Sequence, residues 1–148
     1  MNLVENFRDP PMDTAMAIAA SGMAAASASL TASASNIANM NTTGPVPASG
    51  PNQPVPSNAG VYQAVSTTTQ AVAGGGVAAT TSGTLPSYTL AYDPSAPFAN
   101  LQGMVAAPNV DPVTEAVNQM SASLAFRANL AVFQTASKDF KSLLDTLA

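Results

Sequence analysis

Few side chains in this 148-residue sequence could carry out chemistry, because it contains no histidine, cysteine or tryptophan. Their absence excludes thiol chemistry, a Ser-His-Asp triad and zinc sites of the usual Cys/His kind. Asp93, Asp111 and Glu115 lie near one another in the sequence and could act as paired carboxylates or hold a metal ion. Asp111 and Glu115 are better explained as residues that stabilise the start of a helix. We therefore expect neither an enzyme nor a cofactor.

The charged residues are few and unevenly placed. Four basic and eight acidic residues give a net charge of −4, and so few cations cannot form a phosphate-binding surface, so we expect no nucleic-acid partner. No residue from Thr14 to Tyr92 carries a formal charge. Since a solvated face usually carries charge, we expect the helical part of this segment to be buried in an assembly and its proline-rich part to be an exposed loop.

The first long element is a predicted helix from Thr14 to about Asn41. Two prolines precede it, so residues 1–12 are expected to be an irregular lead and Asp13 to be the N-cap. Large apolar residues recur every seven positions beside a parallel row of small residues, which is the spacing of a coiled-coil seam. The large members of this predicted seam are Met16, Met23, Leu30 and Ile37.

Glycine and asparagine residues mark the end of this helix. Gly44 is followed by a proline and suits the C-cap position, so the helical segment with its caps spans residues 13–44. Asn36 and Asn39 are three residues apart and therefore lie on one helix face. Because a buried amide can fix the register of a coiled coil, we predict that these two residues, and Asn129 farther along the chain, form hydrogen bonds across a subunit interface.

Residues 45–110 are predicted to form a small β and loop insert. Five prolines follow the first helix and favour an extended loop. Two β-prone runs, Val61–Thr69 and Val77–Thr81, flank three consecutive glycines and predict a hairpin. Ser87–Tyr92 is expected to be a further short strand, and residues 93–110 are expected to be a loop.

A second long helix is predicted from Pro112 to Leu147. Asp111 is the expected N-cap, and the proline fits the first helical position. The apolar residues again recur in steps of four and three, with a change of phase near Leu124. The predicted seam comprises Val113, Val117, Met120, Leu124, Phe126, Leu130, Phe133, Phe140, Leu144 and Leu147.

Together these elements predict a mainly α protein. The two terminal helices would pair as an antiparallel coiled coil that buries both seams. They lie in segments 13–44 and 111–148, and the insert 45–110 lies between them in the sequence. The same seams could also serve neighbouring subunits. Because alanine, serine and threonine dominate the sequence, we expect a thin core and a stability that depends largely on partners.

The alanine-rich stretch after Thr14 is not expected to span a membrane. Serine, glycine and threonine residues interrupt it, and it lacks an aromatic belt. The preceding residues lack a basic region followed by an apolar one, so we expect no cleaved secretory signal peptide.

Two stretches near the ends of the chain carry recognisable motifs. The first is Ser21-Gly22-Met23-x-Ala25, Leu30, then Ala34-Ser35-Asn36-Ile37-Ala38-Asn39-x-Asn41-Thr42-Thr43-Gly44. The second is Pro108-Asn109-Val110-Asp111, Glu115, Met120, then Ser121-x-Ser123-x-x-Phe126-x-Ala128-Asn129. These stretches resemble the terminal signatures of the flagellar basal-body rod and hook proteins, and the resemblance covers roughly residues 12–44 and 88–148. The short length and the run Ala91-Tyr92-Asp93-Pro94 resemble the proximal rod proteins within that family.

The resemblance implies a structural subunit that stacks helically with copies of itself and other flagellar rod proteins to transmit torque across the periplasm. It also implies export by the flagellar export apparatus without cleavage of a signal peptide. Between Met23 and Leu30, where the family usually carries Gln and Arg, this chain has only Ala and Ser. This departure leaves two alternatives open: a divergent paralogue that binds rod or export components without polymerising, and a related axial protein with other neighbours. A third alternative is a low-complexity cell-surface protein that matches the family by chance.

Overall fold

A computed structural model describes residues 12–147, except for the side chains of Met12, Asp13 and Leu147. The expected irregular lead, residues 1–12, lies outside the described residues apart from Met12. Two long helices at the ends of the chain flank, in sequence, a small insert of antiparallel strands, which agrees with the predicted mainly α fold. The elements are α1 (Met12–Asn39), β1 (Val65–Ala71), β2 (Val77–Gly83), β3 (Thr89–Tyr92), β4 (Met104–Ala107) and α2 (Pro112–Leu147).

The two helices pack against each other in opposite directions. Gly22 of α1 lies beneath the amide of Asn129, while three turns later the hydroxyl of Ser33 donates a hydrogen bond to the carbonyl oxygen of Glu115 (2.9 Å). The contact face of α1 consists of small side chains, which allow the two helix axes to approach closely. Besides Asn36, the buried residues in the described part of α1 are Ala19, Ala25, Ala26, Ala32 and Ser33.

The larger apolar residues of α1 flank this contact. The four large members of the predicted seam are each only half-buried, whereas the parallel row of small residues is buried. Close approach of two helices leaves no room for large side chains between them, so the small row takes the centre of the contact. The four half-buried residues are Met16, Met23, Leu30 and Ile37.

On α2, only part of the predicted seam faces α1. The first part of that seam, from Val113 to Leu124, is exposed and lies on the opposite face. No change of phase is needed near Leu124, because the row through Phe126 and Phe133 continues backwards through the small side chain of Ala122. The buried or half-buried residues recur in steps of four and three: Glu115, Gln119, Ala122, Phe126, Asn129 and Phe133.

The last part of α2 is more exposed than its middle. α2 has 36 residues and α1 has 28, and Leu130 of the predicted seam is half-buried. Phe140 and Leu144, also in that seam, are exposed. The side chain of Leu147 lies outside the described part of the chain.

The starts of the two helices differ from each other. α1 begins at Met12, so Asp13 lies one residue inside the helix that we expected it to cap. Proline is well tolerated in the first turn of a helix, so the preceding prolines do not determine which residue is the first helical one. α2 begins at Pro112 as predicted. The carboxylate of Asp111 accepts hydrogen bonds from the Thr114 hydroxyl and from the N–H groups of Val113 and Thr114 (both 3.2 Å). These bonds lower the pKa of Asp111, the Thr114 hydroxyl most.

The insert contains two hairpins. β1 and β2 form the one that the sequence predicts, with Val65 opposite Gly83. The three glycines of its turn all have positive φ, a conformation that favours glycine. A second hairpin pairs β3 with β4, where we predicted a loop for β4. The four residues of β4 do not alternate between apolar and polar side chains, so their pattern does not indicate a strand.

The proline-rich loop contributes side chains to a small apolar core, whereas we expected it to be exposed. The hydroxyl of Tyr88 in this core donates a hydrogen bond to the carbonyl oxygen of Pro47 (3.3 Å). The loop is therefore tied to the second hairpin by both packing and hydrogen bonding. The core comprises Val61, Tyr88 and Ala106, packed against Val46, Val55 and Ala59.

Gly44 is not the C-cap of α1. The helix ends five residues earlier, where Thr42 donates hydrogen bonds to the Asn39 carbonyl oxygen through its N–H (3.0 Å) and its hydroxyl (2.7 Å). Gly44 instead exchanges two backbone hydrogen bonds with Ala106 of β4 (3.0 and 2.9 Å). A Cβ at Gly44 would lie 2.7 Å from the carbonyl oxygen of Gly60, so this position requires glycine for space.

Gly44→Ala should destabilise the chain by roughly 1–3 kcal/mol, because the added methyl group meets backbone atoms on a neighbouring strand of chain. Urea unfolding followed by circular dichroism measures this change. Thr43→Ala, at the exposed neighbouring position, is the matched control and should alter the unfolding midpoint little. Equal midpoints for the two variants would contradict the steric role of Gly44.

Candidate functional site: a polar junction, a groove and an apolar stripe

The buried amide of Asn36 joins three parts of the chain. Asn36 lies near the end of α1 and is 1% exposed. Its Nδ2 donates hydrogen bonds to the carbonyl oxygen of Val65 in β1 (2.8 Å) and to Oε1 of Glu115 in α2 (2.7 Å). Its Oδ1 accepts hydrogen bonds from the hydroxyl of Tyr62 and the N–H of Val65 (both 2.9 Å). We call these four residues the polar junction.

The polar junction uses the two donors and two acceptor sites of the Asn36 amide. No capacity is left for a neighbouring subunit, contrary to our expectation for this residue. Asn39 donates a hydrogen bond to the carbonyl oxygen of Ser35 in its own helix (2.8 Å), and Asn129 donates one to Ala125 (2.8 Å). A role for these two amides at a subunit interface stays a prediction.

Tyr62 is a member of the junction that the sequence analysis missed. Its partner Asn36 lies 26 positions away, and nothing in the local pattern indicates the contact. Burial of the hydroxyl raises the pKa of Tyr62, and the negative charge of Glu115 raises it further. Tyr62 therefore remains a neutral hydrogen-bond donor throughout the physiological pH range.

The β1–β2 hairpin is anchored to α1 at two points. At its open end, Asn36 binds both backbone groups of Val65. Near its turn, the N–H of Val77 donates a hydrogen bond to Oγ of Ser21 (3.1 Å), and this hydroxyl donates one to the carbonyl oxygen of Ile18 (2.7 Å). A Cβ at Gly75 would lie 2.8 Å from the Ile18 side chain, so the turn packs closely on the helix.

Between these anchors, the hairpin and the two helices surround an open groove of about 760 Å³. Its floor consists of small α1 side chains such as Ala26 and Ser29. One wall is formed by the strand that carries Thr67, and the other by the face of α2 that carries Ser121. Glu115, at one end, is the one charged residue of the lining. We call this feature the groove.

The outer face of α2 carries a row of exposed apolar side chains, which we call the stripe. Phe140, Leu143 and Leu144 are also exposed farther along the same helix. A row of this kind is larger than the scattered apolar residues of an ordinary surface and makes the stripe a candidate contact surface. The exposed fractions along the stripe are 71% for Val113, 50% for Val117, 65% for Met120 and 70% for Leu124.

The three acidic residues that could have formed a catalytic or metal site serve local structure. Within residues 12–147, no group of three or more His, Cys, Asp or Glu side chains lies together as metal ligands would. Asp93 accepts hydrogen bonds from the hydroxyl (2.6 Å) and the N–H (3.1 Å) of Ser95. Asp111 caps α2, and Glu115 belongs to the polar junction.

By length and apolar composition, Thr14–Asn39 could cross a membrane. In the folded chain, the same helix packs against α2 and the β1–β2 hairpin and supplies Asn36 to the polar junction. Polar groups in a bilayer must be satisfied within the protein, so insertion of this helix alone would leave the Asn36 amide without its partners. That the helix does not span a membrane stays a prediction.

Paired helices with an exposed apolar face define a structural protein that works through contacts with other proteins. Comparison with known families agrees with this class. Residues 16–45 match the family described as Flagella basal body rod protein. Residues 101–146 match the family described as Flagellar basal body rod FlgEFG protein C-terminal. The first match covers most of α1, and the second covers β4 and nearly all of α2.

Individual relatives extend the similarity across most of the chain. The flagellar basal-body rod protein FlgC of Salmonella typhimurium is 40% identical over 119 residues, which are 80% of this chain and 84% of the relative. FlgC of Escherichia coli O6:H1 is 39% identical over the same shares. FlgC of Aquifex aeolicus is 37% identical over 57 residues, 38% of this chain and 42% of the relative. The chain belongs to the flagellar basal-body rod protein family, which is structural and not known to be enzymatic.

Asn36→Ala should lower the free energy of unfolding by roughly 2–4 kcal/mol, because it leaves the Val65 backbone and Glu115 without partners in a partly buried site. Hydrogen exchange should show the loss first in the β1–β2 hairpin, which depends on this anchor. Asn39→Ala is the matched control, since that amide bonds only to its own helix, and should cost less than about 1 kcal/mol. Equal losses for the two variants would contradict the junction.

Proposed function

We propose that this chain is a subunit of the proximal rod, which assembles helically with copies of itself and other rod proteins and transmits torque. The observation that carries the proposal is the stripe, where large apolar side chains stand in steps of four, three and four on the outer face of α2. Burying apolar surface stabilises an assembly by about 25 cal/mol per Å². Membership of the rod family indicates which assembly would bury it.

The terminal helices are proposed to pair as an antiparallel coiled coil. Support comes from the regular steps of four and three along the inner face of α2, from Glu115 to Phe133. The contacts of Gly22 with Asn129 and of Ser33 with Glu115 fix the opposite directions of the helices. α1 has 28 residues, so the paired part would be at most about 42 Å long.

The distribution of charge supports close contact with neighbours. Within the described part of α1 and the β1–β2 hairpin, Asp13 is the one charged residue, so these surfaces can be covered without the desolvation of ions.

We further propose that the chain reaches the rod through the flagellar export apparatus without cleavage of a signal peptide. The family supports a location in the flagellar basal body, and the periplasmic part of the rod is the proposed site.

A divergent paralogue that binds rod or export components without polymerising is the second candidate. The segment Ala24–Ser29 favours it, because it contains only alanine and serine, where the family usually carries Gln and Arg. Without charged side chains there, α1 offers no ion pair to a neighbour on its exposed face. Such a paralogue would bind through the stripe and would be absent from the finished rod.

Quantitative mass spectrometry of washed hook–basal bodies from the source organism should find the chain in several fixed copies per particle. Val117→Glu should lower that number strongly, because assembly would bury an unpaired charge. Since Val117 is half exposed in the single chain, its substitution should leave the thermal unfolding of the purified chain nearly unchanged.

Gln134→Glu, at an exposed position of α2 ten residues beyond the last residue of the stripe, introduces the same charge; it is the matched control and should be incorporated at a level close to the original chain. Absence of the unaltered chain from particles that contain the other rod subunits would overturn the proposal and favour the paralogue. Incorporation of both variants at equal levels would show that the stripe is not the assembly surface.

A further inference from the structure

We infer that the groove of one copy receives the stripe of a second copy. This inference rests on the proposed function, because it specifies the contact through which copies would assemble. The groove lies between the β1–β2 hairpin, α1 and α2, and the stripe lies on the outer face of α2. Both halves of the contact are therefore present on the same chain.

The two surfaces agree in length. The stripe runs from Val113 to Leu124, which is about 17 Å along a helix. The α2 wall of the groove runs from Thr114 to Asn129, which is about 22 Å. The stripe therefore fits within the groove with about one helical turn to spare.

The two surfaces also agree in size and chemistry of side chain. The stripe presents valine, methionine and leucine, and the floor of the groove presents mainly glycine, alanine and serine. Large apolar side chains on one helix pack against a helix face of small side chains because the small face leaves space for them. The anchors at Asn36 and Ser21 hold the hairpin so that it forms the far wall of this space.

The charges on both surfaces are compatible with the contact. The stripe contains no charged residue, and Arg127 lies nearly one turn beyond its end. Copies in a helical assembly share one direction, so the incoming α2 runs parallel to the α2 of the receiving copy. In that orientation Arg127 lies towards the end of the groove that is opposite Glu115. Glu115 keeps the hydrogen bonds from the amides of Asn36 (2.7 Å) and Asn118 (3.3 Å), so its charge is not covered without partners.

The relation between the two surfaces favours an open assembly. On α2, the positions of the stripe lie about 100° around the helix from the positions that line the groove, such as Ser121 and Ala125. A contact between two different surfaces of the same molecule is heterologous, and it leaves one free groove and one free stripe at the ends of every chain of copies. Further copies can therefore add at either end.

Disulfide cross-linking in assembled basal bodies tests the contact, because the chain has no cysteine of its own. When the stripe begins beside Thr114, where the α2 wall of the groove begins, Met120 of one copy comes to the level of Ser29 of the next. Cells that produce both Met120→Cys and Ser29→Cys chains should yield a cross-linked dimer after mild oxidation. Cells that produce either variant alone should not. Leu124→Cys should cross-link with Ala25→Cys and not with Ala32→Cys, because the copies run in the same direction.

Ser27→Cys is the matched control, since Ser27 is an exposed serine two residues away on the opposite face of α1. The inference would be overturned if the variants entered the rod but the yield of the Met120–Ser29 dimer did not exceed that of the Met120–Ser27 dimer. The proposed function as a rod subunit would still stand. A cross-link from Ser29→Cys to a different rod protein would assign the groove to that protein and also overturn the inference. If the Ser29→Cys chain does not enter the rod, cross-linking between Leu124→Cys and Ala25→Cys tests the contact instead. Absence of the unaltered chain from basal bodies would overturn the proposed function as well.

Discussion

The buried amide of Asn36 is the contact on which the arrangement of this chain depends. The buried residues are mostly alanine, with few large apolar side chains among them, so packing alone gives the insert little hold on the helices. Hydrogen bonds of fixed geometry take this role, since Asn36 binds α2 through Glu115 and β1 through Val65. Because loss of one partner leaves the others unsatisfied, the helix pair and the hairpin are coupled in stability.

Local signals in the sequence predicted the start of α2 and the turn of the first hairpin. Asp111 followed by proline marks a helix start, and three consecutive glycines mark a turn. The face of α2 that contacts α1 could not be predicted, because two of its rows follow the same steps of four and three and the more apolar row, the stripe, is the one that faces away from α1. The partners of Asn36 were missed because Val65 and Glu115 lie 29 and 79 positions away. Gly44 was misassigned because a glycine before a proline has the local pattern of a helix cap. Its contact with β4 cannot be seen in that pattern.

The two faces of α2 divide the work of folding and assembly. The inner face, from Glu115 to Phe133, packs within the chain and carries amides and small side chains as well as phenylalanines. The outer face carries the stripe, which the described part of the chain leaves exposed. Folding therefore completes the groove and presents the stripe at once, and only a folded copy offers both. A rod built from such copies would add subunits without any change in the fold of each.

The stripe is exposed in the free chain and, on our account, buried in the rod. The reactivity of Leu124→Cys towards a maleimide measures this directly, because the chain has no other thiol. We predict rapid labelling of the purified chain and slow labelling of intact basal bodies, with full labelling once the same particles are denatured. Equally rapid labelling of the free chain and the intact basal bodies would contradict the burial of the stripe.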